Sequence, residues 1–287
     1  MRRSAGKIIV RGVVQGVGFR PFVYAAALAS GLRGSVKNLG SEVEILAEGE
    51  RFEEFLAVIR RGPALSRIDS VVVRPLEGHL EDGFFILPSS EGQRSGMIPP
   101  DIATCDECIG DIDQKDGRYT GYWATSCVNC GPRYSIISAL PYDRERTSMS
   151  VFRMCPVCGT EYGDPGFRRH HAQTIACPVC GPEVRLLDSS GADAGEGDPV
   201  GRSARLLDAG YILGIRGVGG FHVACTENSA KELKRRLGRE EQPFAVMVLP
   251  GYIRQIAGIS AEEMDALESP VRPIVVLQKK DPLAHSG

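Results

Sequence analysis

The chain has 287 residues and a formal net charge of −2 at neutral pH. This length allows two or three domains, and the balanced charge gives no support to a nucleic-acid or membrane partner. No run of eighteen apolar residues is present, so no membrane-spanning helix is predicted. The basic start of the chain is followed by too short an apolar run for a secretory signal, and we expect a cytoplasmic, reducing location.

Residues 1–92 carry the pattern of a small α+β domain. Strands are predicted at 7–14, 34–39, 42–48, 67–74 and 84–87, and helices at 21–32 and 51–60. The order βαββαβ is typical of a ferredoxin-like split βαβ fold. In the strand at 42–48, Val43 and Ile45 alternate with Glu42 and Glu44, so one face of that strand is expected to be buried.

A glycine-rich loop joins the first predicted strand to the first helix. Residues 12–20 read Gly-Val-Val-Gln-Gly-Val-Gly-Phe-Arg. Such a loop can direct backbone N–H groups to one point beside the positive end of a helix. Arg20 adds a guanidinium group that can donate two hydrogen bonds to a phosphate, so a phosphate site is predicted. The spacing does not fit a dinucleotide fingerprint, whose third glycine would fall on Pro21, and no Walker lysine follows.

Two motifs of this segment resemble acylphosphatase, namely Val-Gln-Gly-Val-Gly-Phe-Arg at 14–20 and Gly-x-Val-x-Asn at 34–38. The resemblance implies that Arg20 holds the phosphate and that Asn38 orients the attacking water. An acyl phosphate already has a good leaving group, so positioning and charge stabilisation suffice. The alternative for Asn38 alone is a hairpin residue that bonds its own backbone. The implied phosphate-binding residues are Gln15, Gly16, Val17, Gly18, Phe19 and Arg20.

Eight of the nine cysteines form four Cys-x-x-Cys pairs. The pairs are Cys105/Cys108, Cys127/Cys130, Cys155/Cys158 and Cys177/Cys180. Eighteen residues separate the two pairs in each half, which predicts a tandem repeat with two structural zinc ions, each bound by four thiolates. Four disulfides are the alternative, disfavoured by the pair spacing and the missing signal sequence. His170 and His171 are possible replacement ligands, but the cysteines already saturate two ions.

The residues around these cysteines resemble the HypF family, the carbamoyltransferases of NiFe-hydrogenase maturation. The motifs that carry the resemblance are Pro99-Pro100-Asp101, residues 129–134, residues 140–144 and His171-Ala172-Gln173. The family joins an acylphosphatase-like domain, paired zinc fingers, a YrdC-like domain and a Kae1-like domain. The implied fold is therefore α+β and multidomain. Its domains are an acylphosphatase-like domain at 1–92, a tandem zinc-finger domain at 93–185 and a partial α/β YrdC-like domain at 200–287.

Alternating elements from about residue 200 predict an α/β sheet. Helices are predicted at 203–210, 228–237 and 261–267, and strands at 211–216, 243–249 and 273–277. Residues 217–223, 242–247 and 269–273 look like the YrdC-like domain, which implies ATP binding and adenylate formation. Leucine and glutamine stand at positions 237 and 242, where the family usually has lysine. The resemblance assigns the ATP site to Arg216, Arg236, Arg239, Ser269 and Arg272. For Arg236 and Arg239 the alternative is that they lie on a solvated helix face.

The HypF resemblance implies hydrolysis of carbamoyl phosphate at the acylphosphatase site. ATP would then form carbamoyl-adenylate, and a further domain would pass the carbamoyl group to the C-terminal cysteine of the partner HypE. The chain stops inside the YrdC-like domain as the family builds it, so we expect a fragment or a truncated product that cannot complete this transfer. A bare acylphosphatase whose other segments mediate docking is one alternative.

The other alternative is an acylphosphatase joined to a nucleic-acid-binding module made of the zinc fingers and the YrdC-like segment. The cysteine loops contain Arg144, Arg146, Arg153, Arg168 and Arg169. Acidic residues accompany them and no arginine-aromatic platform is evident, so a nucleic-acid partner is not expected.

Overall fold

The structure is a computed structural model that describes residues 4–76, 78, 80–92, 97–195, 197–239 and 241–280. The chain divides into two compact units, Met1–Pro182 and Glu183–Gly287. In the part of the chain that the structure describes, no helix combines the length and apolar character needed to cross a membrane.

A five-stranded sheet and two helices form the first part of the first unit. The strands are β1 (Ser4–Val13), β2 (Arg33–Leu39), β3 (Glu42–Gly49), β4 (Arg67–Arg74) and β5 (Phe84–Ile86), and the helices are α1 (Phe19–Ser30) and α2 (Phe52–Arg61). The strand order is β4-β1-β3-β2-β5, and every pair is antiparallel except β2 with β5. The predicted ferredoxin-like fold is confirmed. Helix α1 begins two residues before the predicted start, because a proline is tolerated in the first turn of a helix.

The core of this sheet domain lies between the sheet and the two helices. Ile8, Val36, Val43 and Phe55 are all fully buried there. Glu42 and Glu44 of β3 are buried as well, and both pair with cations on neighbouring strands. Lys7 and Lys37 both lie within 3.3 Å of the carboxylate of Glu44. A central strand thus has both faces covered, one by apolar packing and one by ion pairs.

We expect Phe55→Ala to lower the free energy of unfolding of the first unit by about 3–5 kcal/mol, because it leaves a cavity in a packed core. Leu28→Ala on α1 is the control, since Leu28 is 52% exposed, and its effect should stay within about 0.5 kcal/mol. Urea unfolding followed by circular dichroism measures both. Similar losses from the two variants would contradict this assignment of the core.

The remainder of the first unit has little regular structure. It contains two short helices, α3 (Asp106–Asp113) and α4 (Pro156–Gly163), and 3₁₀ turns at Arg144–Arg146 and Ser148–Val151. Each helix begins directly after the first cysteine of its repeat, so the two repeats fold alike. The apolar centre between them is small and includes Tyr119, Tyr122 and Ile175. A segment of this kind depends on metal binding for much of its folding energy.

The second unit mixes helices with short paired strands. Its elements are α5 (Pro199–Asp208), β6 (Leu213–Arg216), β7 (Phe221–Ala224), α6 (Ala230–Leu237), α7 (Pro250–Ile256), β8 (Ala257–Gly258), α8 (Ala261–Glu268) and β9 (Gln278–Lys279). Strand β6 pairs with β7 and β8 with β9, both antiparallel. The predicted helices and the strand before the glycines are present, with shifts of a few residues at their ends.

The predicted strands at 243–249 and 273–277 are wrong. Both stretches are irregular, and Met247 and Val276 are 102% and 91% exposed. A buried strand needs neighbouring strands that pair with its backbone on each edge. Among the described residues of this unit the sheets have only two strands each, so these apolar stretches find no such neighbours.

Candidate phosphate site and metal centres

The glycine-rich loop forms a concave backbone turn at the start of α1. Gly16 and Gly18 have φ angles of 69° and 73°, in the left-handed region that glycine adopts without strain. Among the described residues, the N–H groups of Gly16, Val17 and Gly18 donate no hydrogen bond. Successive free N–H groups at a helix N-terminus are suited to binding an anion.

The side chains of the other loop residues support the loop from behind. Val17 and Phe19 are 1% and 2% exposed, because their side chains belong to the core of the sheet domain. The Gln15 amide nitrogen donates to the carbonyl oxygens of Gly40 and Glu42 at 3.0 and 3.1 Å. The Gln15 side chain therefore braces the loop against the β2–β3 turn.

Arg20 and Asn38 converge on one carbonyl oxygen beside this loop. Arg20 Nη2 and Asn38 Nδ2 donate to the carbonyl oxygen of Tyr142 at 3.4 and 3.5 Å. Arg20 lies in the first turn of α1 and Asn38 lies near the end of β2, and both are buried. The structure brings the two predicted catalytic residues together in the pocket that the loop lines.

The other wall of this pocket comes from the cysteine-rich segment. Tyr142 N donates to Gln15 Oε1 at 2.9 Å, and Arg133 Nε donates to the carbonyl oxygen of Gly16 at 2.5 Å. A carboxylate oxygen of Asp143 forms an ion pair of 2.9 Å with Arg20 Nη1. The phosphate loop is thus enclosed by residues that follow it in the sequence by more than one hundred positions.

The roles of Arg133, Tyr142, Asp143 and His171 could not be predicted from the sequence. All four lie in the motifs that carry the HypF resemblance. Nothing local in those motifs indicates that they contact the loop, because the contacts form only in the folded unit.

His171 lines the same pocket as Arg20 and Asn38. Its Nδ1 and the Asn38 Oδ1 are buried, and neither has a hydrogen-bond partner among the residues that the structure describes. Burial, with the nearby positive charge of Arg20 and the neighbouring His170, lowers the pKa of His171 to about 4. The imidazole is therefore neutral at neutral pH.

The eight paired cysteines gather into two clusters. One contains Cys105, Cys108, Cys127 and Cys130, and the other contains Cys155, Cys158, Cys177 and Cys180; the sulfurs of each cluster lie within 4.8 Å of one another. Neighbouring sulfurs are 3.7 and 3.8 Å apart in the first cluster and 3.5 to 3.9 Å apart in the second. A zinc tetrahedron with bonds of about 2.3 Å has edges of about 3.8 Å, so the donor set fits two zinc ions.

The same distances decide between zinc sites and disulfides. A disulfide needs sulfurs about 2.05 Å apart, and all nine cysteines are free. The disulfide alternative is therefore wrong. His170 and His171 belong to neither cluster in the described part of the chain.

Each cysteine cluster also receives an arginine from the other repeat. Arg118 of the first repeat donates to Cys158 Sγ at 2.8 Å in the second cluster. Arg168, at the corresponding position of the second repeat, donates to Cys108 Sγ at 3.1 Å in the first cluster. Four thiolates give a zinc site a net charge of about −2, which these guanidinium groups partly offset. Each repeat therefore supplies a hydrogen-bond donor to the cysteine cluster of the other.

These contacts weaken the nucleic-acid alternative. Arg168 and Arg169 both pair with Asp111, and Arg144 donates to backbone carbonyls at 2.7 to 2.8 Å. Arg168 and Arg169 thus hold the two repeats together, and Arg146 donates to the carbonyl oxygen of Leu140. Of the five arginines that this alternative needs on the surface, only Arg153 is exposed without such a contact among the described residues.

Comparison with known proteins agrees with this architecture. A family model for acylphosphatase matches residues 6–86, and one for the HypF finger matches residues 104–137 and 154–187. Carbamoyltransferase HypF of Rhodobacter capsulatus is 44% identical over 288 residues, which cover 99% of this chain and 38% of that protein. The chain belongs to the HypF family. It spans little more than a third of the length of such curated HypF relatives.

Solved HypF structures share the fold of this chain. The crystal structure of full-length HypF in the phosphate- and nucleotide-bound form superposes with a TM-score of 0.91 at 39% identity, over 97% of this chain and 38% of that chain. The acylphosphatase of Caldivirga maquilingensis is 47% identical over 76 residues, which cover 25% of this chain and 80% of that protein. The first segment is therefore an acylphosphatase domain within a HypF protein.

The residues predicted to bind ATP are not gathered into one site by the described contacts. The Arg216 guanidinium lies over the Phe221 ring at 5.8 Å, and Arg236 pairs with Glu232 at 2.7 Å. Arg239 and Arg272 are exposed. Only a backbone hydrogen bond of 3.0 Å, from Arg272 to Ser269, joins two members of the set within the described second unit.

We expect Arg118→Leu to weaken zinc binding in the Cys155 cluster and Arg168→Leu to weaken it in the Cys105 cluster, each by about 10–100-fold, because each removes a hydrogen bond to a ligating sulfur. Elemental analysis should find two zinc ions in the reduced wild-type chain, and competition with a chromophoric chelator measures the affinities. Arg153→Leu is the control. Equal weakening by the control, or fewer than two ions in the wild type, would contradict the assignment.

Proposed function

We propose that this chain hydrolyses an acyl phosphate, with carbamoyl phosphate as its substrate, in the pocket at the start of α1. The observation that carries the proposal is the convergence of Arg20 and Asn38 at the mouth of the glycine-rich loop. Membership of the HypF family, whose curated relatives are carbamoyltransferases, supports carbamoyl phosphate over other acyl phosphates.

In the proposed reaction the loop and Arg20 hold the phosphate. The free N–H groups of residues 16–18 and the guanidinium offer a cluster of donors to its oxygens, and they stabilise the charge of the transition state. Asp143 and Ser89, at 2.9 and 3.4 Å from Arg20 Nη1, fix the guanidinium in place. Because the donors are positioned before the substrate arrives, little reorganisation is needed during the reaction.

Asn38 directs the attacking water in this proposal. Its Nδ2 is held by Tyr142, which leaves the buried Oδ1 to accept a hydrogen bond from water. Attack on the bound substrate releases phosphate and carbamate. Neither metal cluster takes part in the chemistry, because four thiolates leave zinc no open coordination position. The zinc sites hold the wall of the pocket, and the reducing, cytoplasmic location predicted from the sequence would keep their cysteines available as metal ligands.

For the complete HypF protein the proposal continues with ATP. Carbamate and ATP would give carbamoyl-adenylate and pyrophosphate at the YrdC-like domain, and transfer to the C-terminal cysteine of HypE would follow in a further domain of the full-length family. A HypF crystal structure with bound nucleotide supports this part. Arg216, Arg236, Arg239, Ser269 and Arg272 remain the proposed ATP contacts.

We expect Arg20→Gln and Asn38→Ala each to reduce phosphate release from carbamoyl phosphate by about 10²–10³-fold, because each removes a fixed contact to the reacting groups. A colorimetric phosphate assay on purified chain measures the rate. Arg61→Gln, at the exposed end of α2, is the matched control and should leave the rate unchanged. If Arg20→Gln keeps more than half of the wild-type rate, the catalytic site has been placed wrongly.

ATP–pyrophosphate exchange tests the second step. We expect exchange that depends on carbamoyl phosphate, and we expect Arg216→Ala to abolish the exchange while phosphate release from carbamoyl phosphate continues, because the two sites are separate. Exchange at the wild-type level in the Arg216→Ala variant would remove this residue from the ATP site.

A further inference from the structure

Two buried polar atoms of the phosphate pocket have no partner among the described residues, namely Asn38 Oδ1 and His171 Nδ1. Buried polar atoms in folded proteins are nearly always hydrogen-bonded, so an exception at a binding pocket indicates a group that the ligand completes. The Asn38 oxygen is explained by the attacking water. The His171 nitrogen has no role in phosphate binding or in water activation as described above.

His171 is held firmly on the wall that faces the loop. Its backbone has a φ angle of 55°, its N–H donates to the carbonyl oxygen of Tyr162 at 2.9 Å, and its carbonyl oxygen accepts from Gln173 Nε2 at 2.8 Å. Its ring packs against the rings of Tyr162 and His170, with centroids 5.0 and 4.6 Å away. The position of Nδ1 is therefore fixed by contacts within the cysteine-rich segment.

The chemistry of this atom differs from that of the phosphate-binding groups of the pocket. The loop amides, Arg20 and the Asn38 amide nitrogen all donate hydrogen bonds, which suits phosphate and carbonyl oxygens. A neutral imidazole nitrogen without a proton accepts them instead. Among simple acyl phosphates, carbamoyl phosphate carries an amino group that needs an acceptor, whereas acetyl phosphate carries a methyl group at the same place.

We propose that His171 determines the specificity of this site by accepting a hydrogen bond at Nδ1 from the amino group of carbamoyl phosphate. The inference rests on the proposed function, since it concerns the same pocket and the same substrate. A site built to pair a polar group of its substrate rejects an analogue that lacks this group, because its own buried atom is then left unpaired.

The test compares kcat/KM for carbamoyl phosphate with kcat/KM for acetyl phosphate. In His171→Leu the ratio of the two values should fall by about 10-fold or more, because only carbamoyl phosphate loses a partner. In His171→Asn the side-chain oxygen can stand near the position of Nδ1, and asparagine tolerates a positive φ, so the ratio should stay within about threefold of the wild type.

General damage to the pocket would slow both substrates alike and leave the ratio unchanged. An unchanged ratio in His171→Leu therefore overturns the proposal, whatever the absolute rates. If the leucine variant does not fold, His171→Gly provides the same comparison, because glycine adopts this φ without strain.

A different result would reject the proposed function. If the wild type releases phosphate from neither substrate, the hydrolytic reaction is wrong. The ratio of dissociation constants, measured by ³¹P NMR titration of the two acyl phosphates, then tests His171 by the same criterion.

Discussion

The backbone of Tyr142 is the contact on which the architecture of the site depends. One peptide N–H reaches Gln15, and the carbonyl oxygen of the same residue receives hydrogen bonds from Arg20 and Asn38. These bonds tie the loop, the first helix and the second strand to a segment that is organised by metal clusters. Because they involve main-chain atoms, they depend on the path of the segment more than on its side chains.

The Caldivirga acylphosphatase is similar to the sheet domain alone. The similar region makes up 80% of the Caldivirga acylphosphatase, which leaves no room there for a pair of zinc repeats. The loop, Arg20 and Asn38 all belong to the sheet domain of this chain. The cysteine-rich segment adds an ion pair to the arginine through Asp143 and a neutral acceptor through His171. In the proposals above, this segment therefore positions Arg20 and Asn38 and supplies an acceptor for the substrate.

Sequence reasoning was sufficient where the determinants are local. The sheet domain was predicted from the alternation of apolar residues and from the glycine loop, and both clusters were predicted from the cysteine spacing. Each of these patterns lies within a short stretch of sequence. Sequence reasoning could not show that Arg118 and Arg168 each donate to a cysteine cluster of the opposite repeat, or that Tyr142 contacts the loop. Such contacts follow from tertiary packing. The strands predicted near Met247 were wrong for the opposite reason: a locally correct apolar pattern lacked neighbouring strands.

The order of these pieces along the chain has a consequence for biosynthesis. Chains leave the ribosome from the N-terminus, and domains generally fold as they emerge. The sheet domain and its loop are therefore complete while residues 142, 143 and 171 are still being translated, and the first cysteine cluster emerges before the arginine at position 168 that contacts it. During synthesis the phosphate pocket is therefore at first without the wall that carries His171. The pocket is closed only after Cys177 and Cys180 have been translated and the second cysteine cluster can form.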